Sequence, residues 1–273
     1  MTTEWSFRQQ LKPKAVPGLV RLGNPVGDGG YVVPKWVVES TDVLLTLGIG
    51  QEWTFDEDVL RMRPGKSTVG ADHTVHGASI RSSLRQAQVK NNLNRLLGRA
   101  AKASRYAERI DRYRRYQRMF GSPNVHIEKM VGSTASPTTV IIDELFAYVG
   151  STFPHRVLVS MDIEESEYDV IEDLLRHHTA INMIVTEFHY VGRHLDAFER
   201  SITEIKKFFD IVHLHGNNCA PYNHDIDLPE VVELTLVHQS LMPPDSPYSS
   251  DERPLPGLDV ANSPGVPDYV LRI

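Results

Sequence analysis

Cysteine is almost absent: one residue, Cys219, in 273. A single thiol excludes an intrachain disulfide and fits a reducing compartment. With no His-Glu-x-x-His either, there is no zinc spacing. No apolar run reaches the roughly eighteen residues of a membrane span, and the opening Met-Thr-Thr-Glu-Trp-Ser has no basic-then-apolar leader. A soluble cytoplasmic protein is expected. Gly-x-Ser-x-Gly and Walker loops are also missing, which disfavours a serine hydrolase and a P-loop NTPase. No internal repeat stands out. Acids are scarce in one place: residues 81–118 hold twelve Lys or Arg against Glu108 and Asp111, a local +10, so the remainder carries −16 of a net −6. Such segregation puts a field over one face.

Apolar residues make up 41% of the chain, ordinary for a globular protein. The length suits a single domain over 1–273, with a helical insertion at about 79–120 and a Pro-rich tail at about 243–273. The organising stretch is Val43-Leu-Leu-Thr-Leu-Gly-Ile-Gly50, an apolar strand that ends in a glycine turn and is followed by a helix-like start at Asp56-Glu57-Asp58. Before it, Asp28-Gly29-Gly30 is a turn signal leading into strand-like Tyr-Val-Val, which by itself reads as a surface hairpin.

Further strands are expected at 67–72, 124–131, 156–162, 180–189, 210–215 and 231–237. Helices are expected at 78–120, with Gly98 as a break, at 138–148, after Asp162, and at about 195–209. The alternation predicts an α/β fold with a mostly parallel sheet and helices on both faces. From Pro243 onward the chain has no periodicity and reads as an irregular tail or a covering arm.

In such a sheet ligands bind outside the carboxyl ends of the strands, where Gly48, Gly50, Asp72, Asp162 and Glu187 fall. Asp72, twenty-two residues past Gly50, is placed to bind ribose hydroxyls; its plain alternative is loop solvation or an N-cap. Gly-x-Gly is short of the full Gly-x-Gly-x-x-Gly fingerprint, so a nucleoside cofactor without pyrophosphate is preferred to NAD.

The motifs Asp28-Gly-Gly-Tyr31, Leu47-Gly-Ile-Gly-Gln-Glu-Trp-Thr-Phe-Asp-Glu57, Asp72-His-Thr-Val75, Met161-Asp-Ile-Glu-Glu-Ser-Glu167, Glu187-Phe-His189, His213-Leu-His-Gly-Asn-Asn218 and Leu258-Asp-Val-Ala-Asn262 resemble the FkbM-like S-adenosylmethionine-dependent methyltransferases. The resemblance spreads over most of the chain and implies a Rossmann-like class I methyltransferase sheet. Two departures stand out: no acid precedes the glycine turn in Val-Leu-Leu-Thr-Leu, and Glu165 stands where the family's Asp-x-Glu-Gly has glycine. The helical insertion matches no motif of the family. By this resemblance Gly48 and Gly50 approach the methionine part of the cofactor, Asp72 the ribose, Ser133 the adenine end, and Asp162 the reacting methyl group.

Asp162, Glu187 and His189 form the candidate reaction centre. Hard oxygen ligands from neighbouring strand ends could hold Mg²⁺ together with His189, leaving positions for a substrate hydroxyl. His189 is the first candidate for general base and His215 the second. The plainer reading has Asp162 fixing the cofactor and Glu187 capping a helix. His213 and His215 alternate along a strand and should share a face, with one of them structural. Asn217 and Asn218 could bond a sugar or shape a turn. Glu164 and Glu167 fall in a first helical turn, which favours acids with or without a function.

The expected function is O-methylation of a sugar hydroxyl in a glycan or glycoconjugate, with S-adenosylmethionine and Mg²⁺. The alternatives are a methyltransferase of nucleic acid or a small metabolite, and a silent cofactor-binding fold serving assembly. The basic insertion is a solvated hairpin, or a face for a glycan or an anionic lipid surface, or a homo-oligomer contact. Nucleic acid is disfavoured there by the acidic chain and the lack of an RNA-binding motif.

Overall fold

The computed structural model describes residues 7–50, 52–62, 65, 67–122, 124–150 and 156–273. Residues 1–6, read above for a leader, and Gln51 of the glycine-turn motif lie outside the described residues. In chain order the elements are β1 (Leu19–Gly23), β2 (Gly30–Pro34), α1 (Lys35–Ser40), β3 (Val43–Leu47), α2 (Thr54–Met62), β4 (Ser67–Ala71), α3 (Gly77–Leu96) and α4 (Ala100–Phe120). Next come β5 (Val125–Ile127), β6 (Met130–Val131), β7 (Thr139–Val140), α5 (Ile142–Val149), β8 (Val157–Met161), α6 (Glu167–Leu175) and β9 (Ile181–His189). The last are α7 (Leu195–Ile205), β10 (Phe209–Gly216), β11 (Tyr222–Asn223), β12 (Leu228–Pro229) and β13 (Val231–His238).

The main sheet runs β10-β13-β9-β8-β3-β4-β5. Strands β9, β8, β3, β4 and β5 are parallel, and β13 lies antiparallel between β9 and β10. Counted along the chain this is the doubly wound order 3-2-1-4-5, extended by a seventh strand inserted ahead of the sixth. The α/β sheet expected from the sequence is therefore present. Alternate side chains serve the two faces: Leu45, Val159 and Ile184 pack against α5, α6 and α7, while Leu44, Leu158 and Val185 pack against β2, α1 and α2. The chain reverses winding between β3 and β8, so their carboxyl ends flank the crevice where such sheets bind ligands.

Three details depart from the sequence reading. The hairpin β1–β2 is no surface feature, since all of β2 is buried and Thr235 on β13 donates to the Val32 carbonyl at 2.8 Å. The strand expected at 124–131 is two pieces, because Met130-Val131 leaves the sheet to pair with Thr139-Val140. That pairing delays the next helix from 138 to Ile142, as the β-branched Thr138-Thr139-Val140-Ile141 favours extended backbone. Gly98 does break the long helix, at φ +64°, into the hairpin α3–α4. Among the described residues no helix is long and apolar enough to cross a membrane.

The insertion is rooted on the glycine turn. Met119, Phe120 and Tyr116 of α4 pack with Ile49, Trp53 and Val75. Arg115 donates through Nε to both carboxylate oxygens of Glu57, at 2.9 and 3.0 Å, and the guanidinium groups of Arg112 and Arg115 lie 5.4 and 5.6 Å from the Trp53 ring centre. The tail, which by sequence reads as either an irregular segment or a covering arm, packs on the domain: Leu271 is buried in the main core, and Ser249 donates its N–H to the Pro13 carbonyl.

Candidate functional site

The carboxyl ends of β3 and β8 meet so closely that only glycine fits at 48. Its φ is +81°, and a Cβ there would sit 1.7 Å from the Asp162 carbonyl oxygen. Gly48 is thus required by the contact between two strand ends, whatever binds beside it. Gly50 differs: its φ is +55°, and a Cβ would meet nothing within 4 Å, so the turn leaves open space in front of it.

Asp72, at the end of β4, holds that turn. Its Oδ2 accepts the N–H groups of Ile49 and Gly50, both at 2.8 Å, and its Oδ1 accepts the Thr74 hydroxyl at 2.7 Å. Burial works to raise its pKa, but the Gly50, Thr74 and Ile49 hydrogen bonds outweigh it and the pKa is lowered. The carboxylate expected on a ribose is therefore a lining group whose present partners are backbone and Thr74.

A cavity of about 520 Å³ opens between these strand ends, the size of a small-ligand site. It is lined by Gly48, Ile49, Gly50, Asp72 and Asp162, and also by Asp28, Tyr31, Glu52, Phe55, Asp56, Glu164 and Glu187. Among the described residues, seven of its lining side chains carry carboxyl groups, and none is Lys or Arg. Asp56, on α2 beneath the turn, is pushed up to about 7 by burial, while its 2.7 Å hydrogen bond from Thr46 works the other way.

Asp162 and His189 come together as expected, with His189 Nε2 3.6 Å from Asp162 Oδ1 and 3.6 Å from Glu164 Oε2. Behind the ring, Nδ1 lies 3.0 Å from Glu167 Oε1, on a carboxylate with no exposure whose Oε2 has no partner. Burial disfavours the imidazolium, yet Glu167, Asp162 and Glu164 together raise the His189 pKa to about 9. His189 is thus protonated at neutral pH. Asp162 is raised by desolvation, against the pull of His189, with Glu164 and Glu167 adding to the rise.

Glu187 does not join this group as a ligand. The donor atoms within 4.8 Å of one another are those of Asp162, Glu164 and His189, while Glu187 gathers with Asp28 and Glu233. It accepts the Tyr31 hydroxyl at 3.0 Å and the Asn217 amide at 3.3 Å. Burial and the carboxylates of Glu233 and Asp162 raise its pKa well above the usual range. The reason is register: Glu187 sits opposite Glu233 on β13, and His189 lies two residues further along β9.

His215 does not reach the cavity. Its Nδ1 lies 3.0 Å from Glu233 and its Nε2 2.9 Å from Asp268 of the tail, and against the effect of burial these two carboxylates raise it to about 10. A second base there is excluded by occupied nitrogens. His213 faces Asp259 at 3.1 Å, and burial lowers its pKa. Asn218 anchors the tail, accepting the Ser263 N–H at 2.7 Å and donating to Val266 and Pro267 carbonyls, and Asn217 accepts the Cys219 N–H at 2.9 Å; both asparagines shape the strand exit. Ser133 is exposed and outside the lining, which at that side consists of Met130 and Val131.

Glu164 was read only as a helix-start acid, but α6 begins at Glu167, and Glu164 and Glu165 stand in the left-handed region at φ +53° and +80°. Asp28 and Tyr31 lay in a motif without an assigned role. The signal that could have singled them out is the turn Asp28-Gly29-Gly30 ahead of a wholly apolar strand.

No protein-family model matches this sequence, and no curated protein does. Solved structures similar to it include a precorrin-6y C5,15-methyltransferase from Geobacter metallireducens GS-15, at 12% identity over 74% of this chain and 87% of that one, with a TM-score of 0.33. A 16S rRNA (adenine(1408)-N(1))-methyltransferase from Catenulisporales acidiphilia is similar at 10% identity over 74% and 90%, with a TM-score of 0.29. Likeness at this level leaves the reaction to be argued from the site.

Proposed function

We propose that this chain is an S-adenosylmethionine-dependent O-methyltransferase of the FkbM-like kind, acting on a sugar hydroxyl. The observation that carries the reading is the cavity at the winding reversal of the sheet, whose lining, among the described residues, has seven carboxyl groups, three of them raised by burial, and no Lys or Arg. Such a lining repels phosphate and suits a ligand that bears positive charge, as a sulfonium amino acid does. When bound, the cofactor supplies a methyl group on a cationic sulfur.

The residues present fit that group. Gly50 leaves room for it, Asp72 keeps the turn in shape, and Asp162 offers a carboxylate to the positive end. A close, in-line approach of the acceptor oxygen is the main demand of such a transfer. His189 would present Nε2 to the acceptor hydroxyl, with Glu167 fixing the far side of its ring. Protonated below about pH 9, it accepts the hydroxyl proton only when neutral, in the minor fraction present at neutral pH. Mg²⁺, as part of this proposal, would be held by Asp162 and Glu164 rather than by Glu187, with His189, the third residue of that group, left to the hydroxyl. A cation there would offset the carboxylates that keep His189 protonated.

Calorimetry with S-adenosylmethionine and S-adenosylhomocysteine, with and without Mg²⁺, tests the reading. Micromolar binding that Asp162→Asn weakens by about tenfold, 1.4 kcal/mol, supports it and opens a screen of sugar acceptors. Absence of binding to either compound overturns it.

A further inference from the structure

Residues 81–105 hold seven Lys or Arg and no Asp or Glu. In the hairpin they build, α3 faces α4 through Ala87 and Asn94, both buried, against Ala103 and Ile110. The opposite side of α3 carries Val89, Leu93 and Leu96, joined by Leu97 at its C-terminal cap; they are 68%, 53%, 85% and 53% exposed. Their spacing of four, seven and eight residues from Val89 places them along one stripe of the helix. Exposed large apolar side chains gathered in a stripe mark an interaction surface, unlike the same residues scattered singly.

We infer that this stripe docks the protein onto a bilayer surface rich in anionic headgroups. An apolar face lying in the headgroup layer, with cations at its margins, is the pattern of an interfacial helix. Arg95, Arg99 and Lys102 supply those cations at the tip of the hairpin, all exposed. Valine and leucine offer nothing to a phosphate backbone or a base edge, which sets the stripe apart from a nucleic-acid face. Pairing with the same face of a second copy would bring two sets of cations together without an acid between them. The hairpin starts five residues after Asp72, beside the cavity mouth formed in part by His73 and Thr74. The docking stripe begins twelve residues further along the helix, roughly 18 Å from that mouth, and the docking stands independently of the reaction proposed above.

Sedimentation of the full chain with vesicles of phosphatidylcholine alone, or mixed with phosphatidylglycerol, tests the inference. The expected result is binding that requires the anionic lipid, falls with salt, and drops by at least about tenfold in the Leu93→Glu, Leu96→Glu double variant at unchanged melting temperature. Replacing Arg95, Arg99 and Lys102 by Gln should remove the salt dependence. No binding to anionic vesicles, or undiminished binding by the double variant, overturns the inference. So does a concentration-dependent dimer of the wild type that the double variant abolishes, or RNA binding lost in that variant, since the stripe would then serve a second copy or a nucleic acid.

Discussion

Two groups of acids stand along the same edge of the sheet and meet different fates. At the ends of β4 and β8, Asp72 and Asp162 line an open cavity, and the Asp162 side chain is 44% exposed. At the ends of β9 and β13, Glu187 and Glu233 are buried: Glu187 reaches the edge of that cavity but is held by Tyr31 and Asn217, and Glu233 is covered by the tail. Asn262 donates to Glu233 at 2.6 Å and to Asp28 at 2.8 Å, and Asp268 closes over His215. A carboxylate at a strand end becomes available to a ligand or part of the framework according to what lies over it. For Glu233 and His215 the cover comes from residues far along the chain.

The comparison breaks first at the glycines. Gly48→Ala drives a Cβ into the Asp162 carbonyl at a positive φ, and a loss of about 3 kcal/mol or more is expected from clash and strain together. Gly50→Ala, facing open space, should cost only about 1–2 kcal/mol for its left-handed backbone. Urea unfolding of the two variants checks this, and equal losses would contradict the role given to Gly48.

On the covered side, Leu271→Ala removes a buried side chain from the main core and should cost about 2–4 kcal/mol, read as a lower urea midpoint. A loss within about 0.5 kcal/mol would mean that the tail does not seal this end of the sheet.

His215 gives the covered side a pH signature. Its folded pKa is raised from 6.5 to about 10, so the stability it contributes is fully present below about 6.5 and is lost as pH rises through about 10. The gap in melting temperature between wild type and His215→Gln should accordingly shrink from pH 7 to pH 10, about the span of that shift. A gap that widens over this range would refute the pairing.

The smallest effect is expected at Glu165. At φ +80° a glycine would relieve about 1 kcal/mol, while the exposed pairs to His194 and Arg193, at 2.8 and 3.2 Å, are screened by solvent and contribute little. Glu165→Gly should therefore leave thermal stability nearly unchanged or slightly raised. A clear loss would show that the ion pairs dominate the turn.

The glycine expected at this position by resemblance thus has a physical reason in the backbone, and the chain departs from it at a cost that its neighbours partly offset. Much of the sheet was legible because β3, β4, β8 and β9 are apolar runs that end in glycine or an acid. The insertion of β13 between β9 and β10 was not, since pairing between distant strands leaves no mark in local periodicity. Strand β1 was hidden by Arg21, whose side chain turns to the Asn24 and Gly27 carbonyls of its own hairpin. At the site, Gly48, Gly50, Asp72 and Asp162 were legible as strand-end residues. Glu187 and His215 were misassigned because the partners that occupy them, Tyr31, Glu233 and Asp268, come from elements whose placement only the fold reveals.

The contact between Asn262 and Asp28 spans 234 residues. During synthesis the loop beside the glycine turn emerges early, yet its last partner leaves the ribosome only after the whole sheet has been made. Long-range closure of this kind is slow relative to local folding. Every strand of the sheet precedes Asn262 and Asp268 in the chain, so the closing of Glu233 and His215 waits on residues made after the sheet itself.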